Sequence, residues 1–215
     1  MIEELESEIY LSISTNKFKI YLYDIKNLNN LYVEELIFEN NTKNIDLYNL
    51  NKFLNNNIFK IEKLIGNFIK NIYLIIECDQ IFNLNFGIKK KNYEIKINHS
   101  FLENILTDAK DIFKENYLDK KIMHMLIKNY IIDGKNYLSI NDNTSGNNFC
   151  LEVEFKSIQI NYISEIEKVL EKFQVKIIKF LDAKYIKNLS EIHNVDFSTM
   201  IFKIKNGFND NEIKL

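Results

Sequence analysis

The sequence predicts an α/β protein in which one segment forms a small unit of its own. The first 78 residues combine strand-like segments with one amphipathic helix, residues 79–160 follow the order strand, helix, strand, strand, and the rest returns to helix and strand. With 46% hydrophobic residues over 215 positions, the chain can bury roughly 70% of its unfolded surface. We expect two domains, residues 1–78 with 161–215 and residues 79–160.

Composition excludes several classes of protein. All 28 basic residues are Lys, against 30 acidic ones, and the net charge of −2 argues against a general nucleic-acid binder. Without Arg, the bidentate fork that phosphate and carboxylate sites prefer is missing. The acidic opening does not resemble a signal or transit peptide, and the longest apolar run, residues 72–76, is far below the ~20 residues of a membrane span. We expect a cytoplasmic protein without a disulfide framework.

The opening elements follow from β-branched and aromatic runs. Residues 8–14, 17–23 and 31–38 predict three consecutive strands joined by short turns. Residues 47–66 place apolar side chains at spacings of three and four, which predicts a helix with one apolar face. The continuous apolar run at 71–78 is typical of a strand buried on both faces.

The middle segment begins with a predicted hairpin at residues 80–97, whose tip is Lys89-Lys90-Lys91-Asn92. Ser100 and Glu103 form a capping box, which predicts that a helix starts there and runs to about residue 117. Two long strands follow at 122–132 and 149–158, with the polar loop 140–148 between them.

The closing elements are a helix, a strand and two further helices. A second capping box, Ser164 with Glu167, predicts the first of these helices. The strand covers residues 175–181 and a short helix covers 183–192. The last helix is predicted to start at Asp196 and to stop at Gly207.

This order of elements resembles the actin-like ATPase fold in the form of the FtsA family of bacterial cell-division proteins. Four segments match locally. The turn at residues 11–17 resembles the family's first phosphate loop, and His124 to Gly134 resembles a family strand and keeps its His and its Asp-Gly pair. The other two matches are Ser145-Gly146 followed by Leu-Glu-Val-Glu at 151–154, and residues 165–181. The resemblance implies a ribonuclease-H-type first lobe carrying an inserted small domain.

Residues 197–207 resemble the closing helix of the family. In FtsA proteins a whole second lobe lies between the preceding strand and this helix, whereas here about fifteen residues join them. The resemblance therefore implies an actin-like protein with one lobe deleted internally. Such a loss would expose apolar surface, which favours self-association or a partner.

The resemblance also implies a degenerate nucleotide site. Ser12 stands where the family has an acid that organises the Mg²⁺ shell, and Ser14 stands where it has a Gly that lets backbone amides approach phosphate. Thr15 and Lys17 match the loop but are also ordinary turn residues. The second phosphate loop and the adenosine loop have no counterpart. We expect no ATP binding, no cofactor and no enzymatic activity.

Other catalytic sites are poorly supported by the sequence. Cys78 and Cys150 could act as nucleophiles beside His99 or His124, but isolated cysteines on apolar strands are more often core residues. The three His and two Cys show no metal-ligand spacing. The pair Asp133-Gly134 is typical of a turn.

By resemblance, the inserted domain is a protein-contact module. Its candidate interaction residues are Lys89, Lys90, Lys91, His124, Asp133, Gly134, Ser145 and Gly146. The lysine run is either simply solvated or contacts anionic lipid or the acidic tail of a partner.

The function expected from this resemblance is a non-enzymatic adaptor of the division machinery, cytoplasmic and recruited to the division site. Its partners would be other division proteins, itself or a complete FtsA, with no nucleic acid. The family's FtsZ-tail site lies on the missing lobe, and its membrane helix follows the last residues present here, so no direct membrane anchor is expected. The alternatives are a PilM-like adaptor in pilus or secretion-system assembly and a small Cys/His enzyme.

Overall fold

The structure is a computed structural model that describes residues 6–39, 44–93, 96–141 and 143–214. Its elements in chain order are β1 (Ser7–Ser14), β2 (Lys17–Asp24), β3 (Asn29–Ile37), α1 (Leu47–Ile65), β4 (Asn71–Glu77), β5 (Phe82–Lys91), α2 (His99–Asn116), β6 (Lys120–Ile132), β7 (Lys135–Tyr137), β8 (Asn148–Gln159), α3 (Ile160–Glu171), β9 (Lys176–Asp182), α4 (Ala183–His193) and α5 (Phe197–Lys205).

The chain divides into two compact units. Unit 1 comprises Met1–Ile81 and Asn161–Phe208, and unit 2 comprises Phe82–Ile160 and Asn209–Leu215. The two domains expected from the sequence, residues 1–78 with 161–215 and residues 79–160, stay a prediction. The last seven residues group with unit 2, whereas the sequence-based division left them in the first lobe.

Unit 1 is built on a five-stranded sheet in the order β3-β2-β1-β4-β9. The first three strands form an antiparallel meander, and β4 and β9 run parallel to β1. The strands are rich in Ile, Leu and Tyr, which pack well on a pleated surface with both faces buried.

Helices cover both faces of this sheet. On one face Phe18 contacts Phe53 of α1, with ring centroids 6.1 Å apart. On the other face α4 and α5 pack against Tyr10, Tyr23 and Ile75 in a continuous buried cluster. The Tyr23 hydroxyl donates a hydrogen bond of 2.9 Å to Thr199 of α5, which satisfies a polar group inside that cluster.

Unit 2 is a four-stranded antiparallel sheet in the order β5-β8-β6-β7, with α2 on one face. Phe155 of β8 stacks between Phe86 and Phe113, at centroid distances of 5.4 and 4.7 Å. The alternation of buried and half-buried residues along β8 follows the period of two expected of a strand with one core face. We call the face packed on α2 the inner face and the opposite one the outer face.

The chain returns to unit 2 after α5. Ile127 N donates to Asn211 O at 2.8 Å, and Ile213 N donates to Met125 O at 2.9 Å, so residues 211–213 extend the sheet along β6. Ile213 also packs against the core of unit 2. The segment is therefore part of the sheet, although its sequence alone suggests only a short polar tail.

Several sequence predictions of local structure are corrected. Residues 89–91 are not a hairpin tip, because they continue β5 and pair with residues 148–150 of β8. The cap of α2 is Asn98, whose side chain accepts from Phe101 N, rather than Ser100. The second capping box is also wrong, since α3 begins at Ile160 and Ser164 lies inside the helix.

Other predictions are confirmed. Asp196 caps α5 by accepting from Thr199 N at 3.1 Å, and Gly207 follows the helix with φ of 85°. The turn predicted at Asp133-Gly134 joins β6 to β7 with φ of 47° and 80°. The short strand β7 after this turn was not predicted.

Candidate functional site

The turn that resembles a phosphate loop lies at the carboxyl end of β1. Ser14 is paired in register with Glu77 of β4, and the two strand ends border a depression of about 260 Å³. Ser14 Oγ lies 3.2 Å from both Asn16 Oδ1 and Lys17 O, so its hydroxyl is engaged within the turn. Ser12 is half-buried on β1 and lies two residues before Ser14, on the same face of the strand.

The charges around this depression do not favour phosphate. Lys17 forms an ion pair of 3.7 Å with Glu35, and Lys184 forms one of 3.7 Å with Asp79. Glu77 and Asp79 also line the depression, so carboxylates sit where a phosphate would have to approach. The depression is electrostatically balanced and offers little attraction for a polyanion.

The cysteines are in environments that disfavour the thiolate. Burial raises the pKa of the Cys78 thiol, and burial together with Glu152 raises that of Cys150. Cys150 and His124 do not form a dyad. In the register of β8, Cys150 and the residue opposite His124, Lys156, are six positions apart, which corresponds to about 20 Å along a strand.

His124 lies on β6, in register with Lys156 of β8. Its side chain is fully buried, and Nδ1 lies 2.8 Å from Oε1 of Glu212, which is also buried. The sequence proposed His124 as an interaction residue, but the structure makes its side chain part of the attachment of residues 211–213. Within the residues that the structure describes, no cluster of three or more His, Cys, Asp or Glu could hold a metal ion.

The other seven candidate interaction residues meet at one end of the small sheet. Lys89, Lys90 and Lys91 end β5, which pairs there with the first residues of β8. The β6–β7 turn lies at the same end, because Ile132 pairs with Phe149. This end is opposite to the one where β5 begins and β8 runs into α3.

Hydrogen bonds hold this end together. The carboxylate of Asp133 accepts from Asn148 N at 2.9 Å and from Asn147 N at 3.1 Å, and these backbone amides keep the pKa of Asp133 below its usual value. Gly146 is buried against the same turn, where an added Cβ would lie 2.4 Å from Ile132 Cγ2. Its carbonyl accepts from Asn92 Nδ2 at 3.1 Å. Ser145 is exposed and forms an isolated bridge with Lys96.

Unit 1 exposes several apolar side chains, as expected if it lacks a covering lobe. Phe68 is 77% exposed, Phe59 of α1 is 73% exposed and Ile37 of the edge strand β3 is 68% exposed. Self-association through this surface stays a prediction.

Among the described residues, no helix combines the length and apolar character needed to cross a bilayer. No protein-family model matches the sequence, and no curated protein matches it either.

Comparison with solved structures finds several similar folds. A chain of the PilM–PilN type IV pilus biogenesis complex aligns with a TM-score of 0.51 at 7% identity, over 83% of this chain and 48% of that one. The cytoplasmic domain of EpsL, an inner membrane component of the type II secretion system of Vibrio cholerae, gives 0.37 at 7% identity, over 83% and 56%. A protein of unknown function with an actin-like ATPase fold from Bacteroides thetaiotaomicron gives 0.37 at 15% identity, over 88% and 59%.

The first of these similarities bears on the fold, and the predicted fold class is confirmed. The chain is an α/β protein with one actin-like lobe and an inserted unit in the order strand, helix, strand, short strand, strand. It spans about half of the length of the pilus-complex chain. Between β9 and α5 the chain contains only α4 and its short flanking residues, and α5 packs directly on the first sheet. The comparisons do not single out the FtsA family.

Sequence reasoning missed Glu212, because its partner His124 is 88 positions away in the chain. The only signal was the pair Glu212-Ile213, an acid and an apolar residue in a polar stretch.

Proposed function

We propose that this protein is a non-enzymatic adaptor of a membrane-associated assembly machine, of the PilM kind found in pilus and secretion systems. The observation that carries the proposal is the contrast between its two candidate sites. The remnant phosphate turn has a Ser in place of the required Gly, and its lysines are ion-paired. The small unit has its own buried core, and it gathers seven candidate interaction residues at one end.

The likeness in fold to a chain of the PilM–PilN complex supports the pilus and secretion version of this adaptor. That complex is named for two proteins that assemble with one another, and we propose that this chain likewise works through protein partners at the cytoplasmic side of a membrane.

An adaptor of cell division is the second candidate. The segments that resemble FtsA in sequence lie at the β1–β2 turn, the β6–β7 turn, β8 and the last helix, α5. In this version the partners are other division proteins, a second copy of this chain, or a complete FtsA.

Affinity capture of the tagged protein from its native cells, followed by mass spectrometry, separates the candidates. We expect pilus or secretion components to be enriched over an untagged control. Recovery of FtsZ-ring proteins instead would move the function to cell division, and loss of the gene without any defect in either process would count against both.

Calorimetry tests the non-enzymatic part of the proposal. We expect any affinity for Mg-ATP to be about 1 mM or weaker, equivalent to no more than about 4 kcal/mol. Low-micromolar binding would contradict the proposal, because it would require a working phosphate site at the β1–β2 turn.

A further inference from the structure

The outer face of the small sheet carries a depression at the end where β5 stops and β8 begins. It has a volume of about 460 Å³ and is lined by residues of β5, β8 and the β6–β7 hairpin, among them Lys89, Lys91, Ile131 and Cys150. We call it the lysine depression. The seven converging candidate residues described above lie in or beside it.

The strand register explains its apolar floor. Lys89 is paired with Cys150, which is paired on its other side with Ile131, so these three side chains form one row across the outer face. Cys150 and Ile131 are half-buried. Gly87, one row further along β5, has no side chain, and an added Cβ there would lie only 3.0 Å from Cys150 Sγ. The floor of the depression therefore stays low and apolar beside the lysines.

The charge around the depression is positive. Lys90 lies between Lys89 and Lys91 on β5, so its side chain points to the inner face, where it forms an ion pair of 2.7 Å with Asp108 of α2. Lys89 and Lys91 form no ion pair with any of the residues that the structure describes. Two acids lie nearby. The carboxylate of Asp133 in the β6–β7 turn is engaged by two backbone amides. The carboxylate of Glu152, two residues beyond Cys150 on the same face of β8, accepts a hydrogen bond of 2.6 Å from Asn129 Nδ2. Two ammonium groups thus remain available beside an apolar floor.

The edge of the sheet adds a third feature. β5 is an edge strand in the order β5-β8-β6-β7, and its last three residues line the depression. An extended peptide can add to such an edge by main-chain hydrogen bonds, and alternate side chains then face the same side as Lys89 and Lys91.

We propose that the lysine depression binds an extended segment of a partner protein that combines acidic and apolar side chains. One apolar side chain covers Cys150 and Ile131, and flanking carboxylates reach Lys89 and Lys91. This assignment rests on the proposed adaptor function and gives its contact surface a location and a chemistry. A membrane surface fits less well, because polybasic membrane sites use about four to eight projecting cations. Here three lysines line a concave surface, and one of them, Lys90, is paired with Asp108.

Selection from a library of randomised, displayed peptides tests the proposal and does not require the partner to be identified first. The immobilised full chain is compared with Lys89→Glu/Lys91→Glu and with the matched control Lys110→Glu/Lys114→Glu, which makes the same charge change on α2. Circular dichroism and thermal unfolding establish that each variant is folded.

We expect the unchanged chain and the α2 control to enrich peptides that alternate acidic and apolar residues. Synthetic versions of these peptides should bind about tenfold more weakly to the Lys89→Glu/Lys91→Glu chain, and more weakly in high salt. A failure to enrich such peptides, or enrichment that persists on that variant, would overturn the proposal. So would lysine-dependent binding to phosphatidylserine vesicles in the absence of peptide enrichment, which would make this a membrane contact.

The same variant separates this inference from the general function. Capture of assembly proteins from native cells should be lost with Lys89→Glu/Lys91→Glu and kept with the α2 control. If capture is equal for both, the adaptor function stands and the lysine depression is not its contact surface. If the unchanged chain captures no assembly protein, the adaptor function itself fails.

Discussion

The two sheets of the molecule are covered in different ways. The five-stranded sheet has α1 on one face and α4 with α5 on the other, and most residues of β1 and β2 are buried. The four-stranded sheet has α2 on its inner face, while its outer face carries polar side chains such as Glu152, Glu154 and Lys156. A sheet packed on both sides is specialised for stability, whereas a sheet with a polar face can present side chains to a partner.

The largest expected effect tests whether each sheet has its own core. Replacing Phe155 by Ala removes the ring stacked between Phe86 and Phe113 and should cost about 3–5 kcal/mol. Hydrogen exchange should show lost protection in unit 2 and little change in unit 1. Met200→Ala is the matched change, because Met200 of α5 is buried in the core of unit 1. It should reduce the protection of unit 1 and leave that of unit 2 little changed. Equal loss in both units for either variant would mean that the two cores unfold together.

The next effect compares a buried ion pair with an exposed one. Lys205 and Glu8 pair in unit 1 with side chains only 18% and 13% exposed. Lys205→Met leaves Glu8 without its cation and should lower the free energy of unfolding by about 3 kcal/mol. The control is Lys168→Met, whose pair with Glu165 is 67% and 53% exposed, and we expect about 0.5 kcal/mol or less there. Denaturant titration measures both, and similar losses would contradict the difference in burial.

A smaller effect concerns the attachment of residues 211–213 to the second sheet. Glu212→Ala removes the buried carboxylate beside His124 and should cost about 2 kcal/mol. The exposed Asp210→Ala is the control. Faster hydrogen exchange at Ile127 and Ile213, which donate the hydrogen bonds of this pairing, is the specific readout. Unchanged exchange at both amides would show that the pairing does not depend on Glu212.

The smallest effect compares two turn aspartates. The amides of Asn148 and Asn147 lower the pKa of Asp133 in unit 2, and the Asn27 side-chain and backbone amides lower that of Asp24 in unit 1. A lowered folded-state pKa gives stability that is present above the unfolded value, near 3.8, and is lost as pH falls through the folded value. Each Asp→Asn variant should therefore show a shallower loss of stability in acid, measured as the free energy of unfolding from pH 5 to pH 2. An unchanged acid slope would contradict the role of the amides.

Most of the fold could be predicted from the sequence, because the spacing of apolar residues within each strand and helix is a local property of the sequence. β1, β2 and β4 are continuous runs of β-branched and aromatic residues, and Asp196 is an unambiguous cap. The hairpin at 80–97 failed because three consecutive lysines suggest a solvated turn, while the alternation of Phe82, Leu84, Phe86 and Ile88 continues the strand.

The candidate site was only partly accessible from sequence. The sequence selected Lys89 as part of a run of lysines, and it selected Asp133 and Gly146 by resemblance. Only the strand register places them at one end of a sheet. The edge position of β5 and the pairing of residues 211–213 depend on contacts between distant parts of the chain. Such contacts leave almost no local signal in the sequence.

The return of the chain to unit 2 after α5 has a consequence for biosynthesis. Residues 211–213 leave the ribosome only after α5, the last helix of unit 1. The small sheet therefore gains this pairing late, and the contact between His124 and Glu212 forms only then. Folding during translation generally proceeds from the amino terminus. Here the inserted unit is translated in the middle of the chain, yet it is the last of the two to be completed.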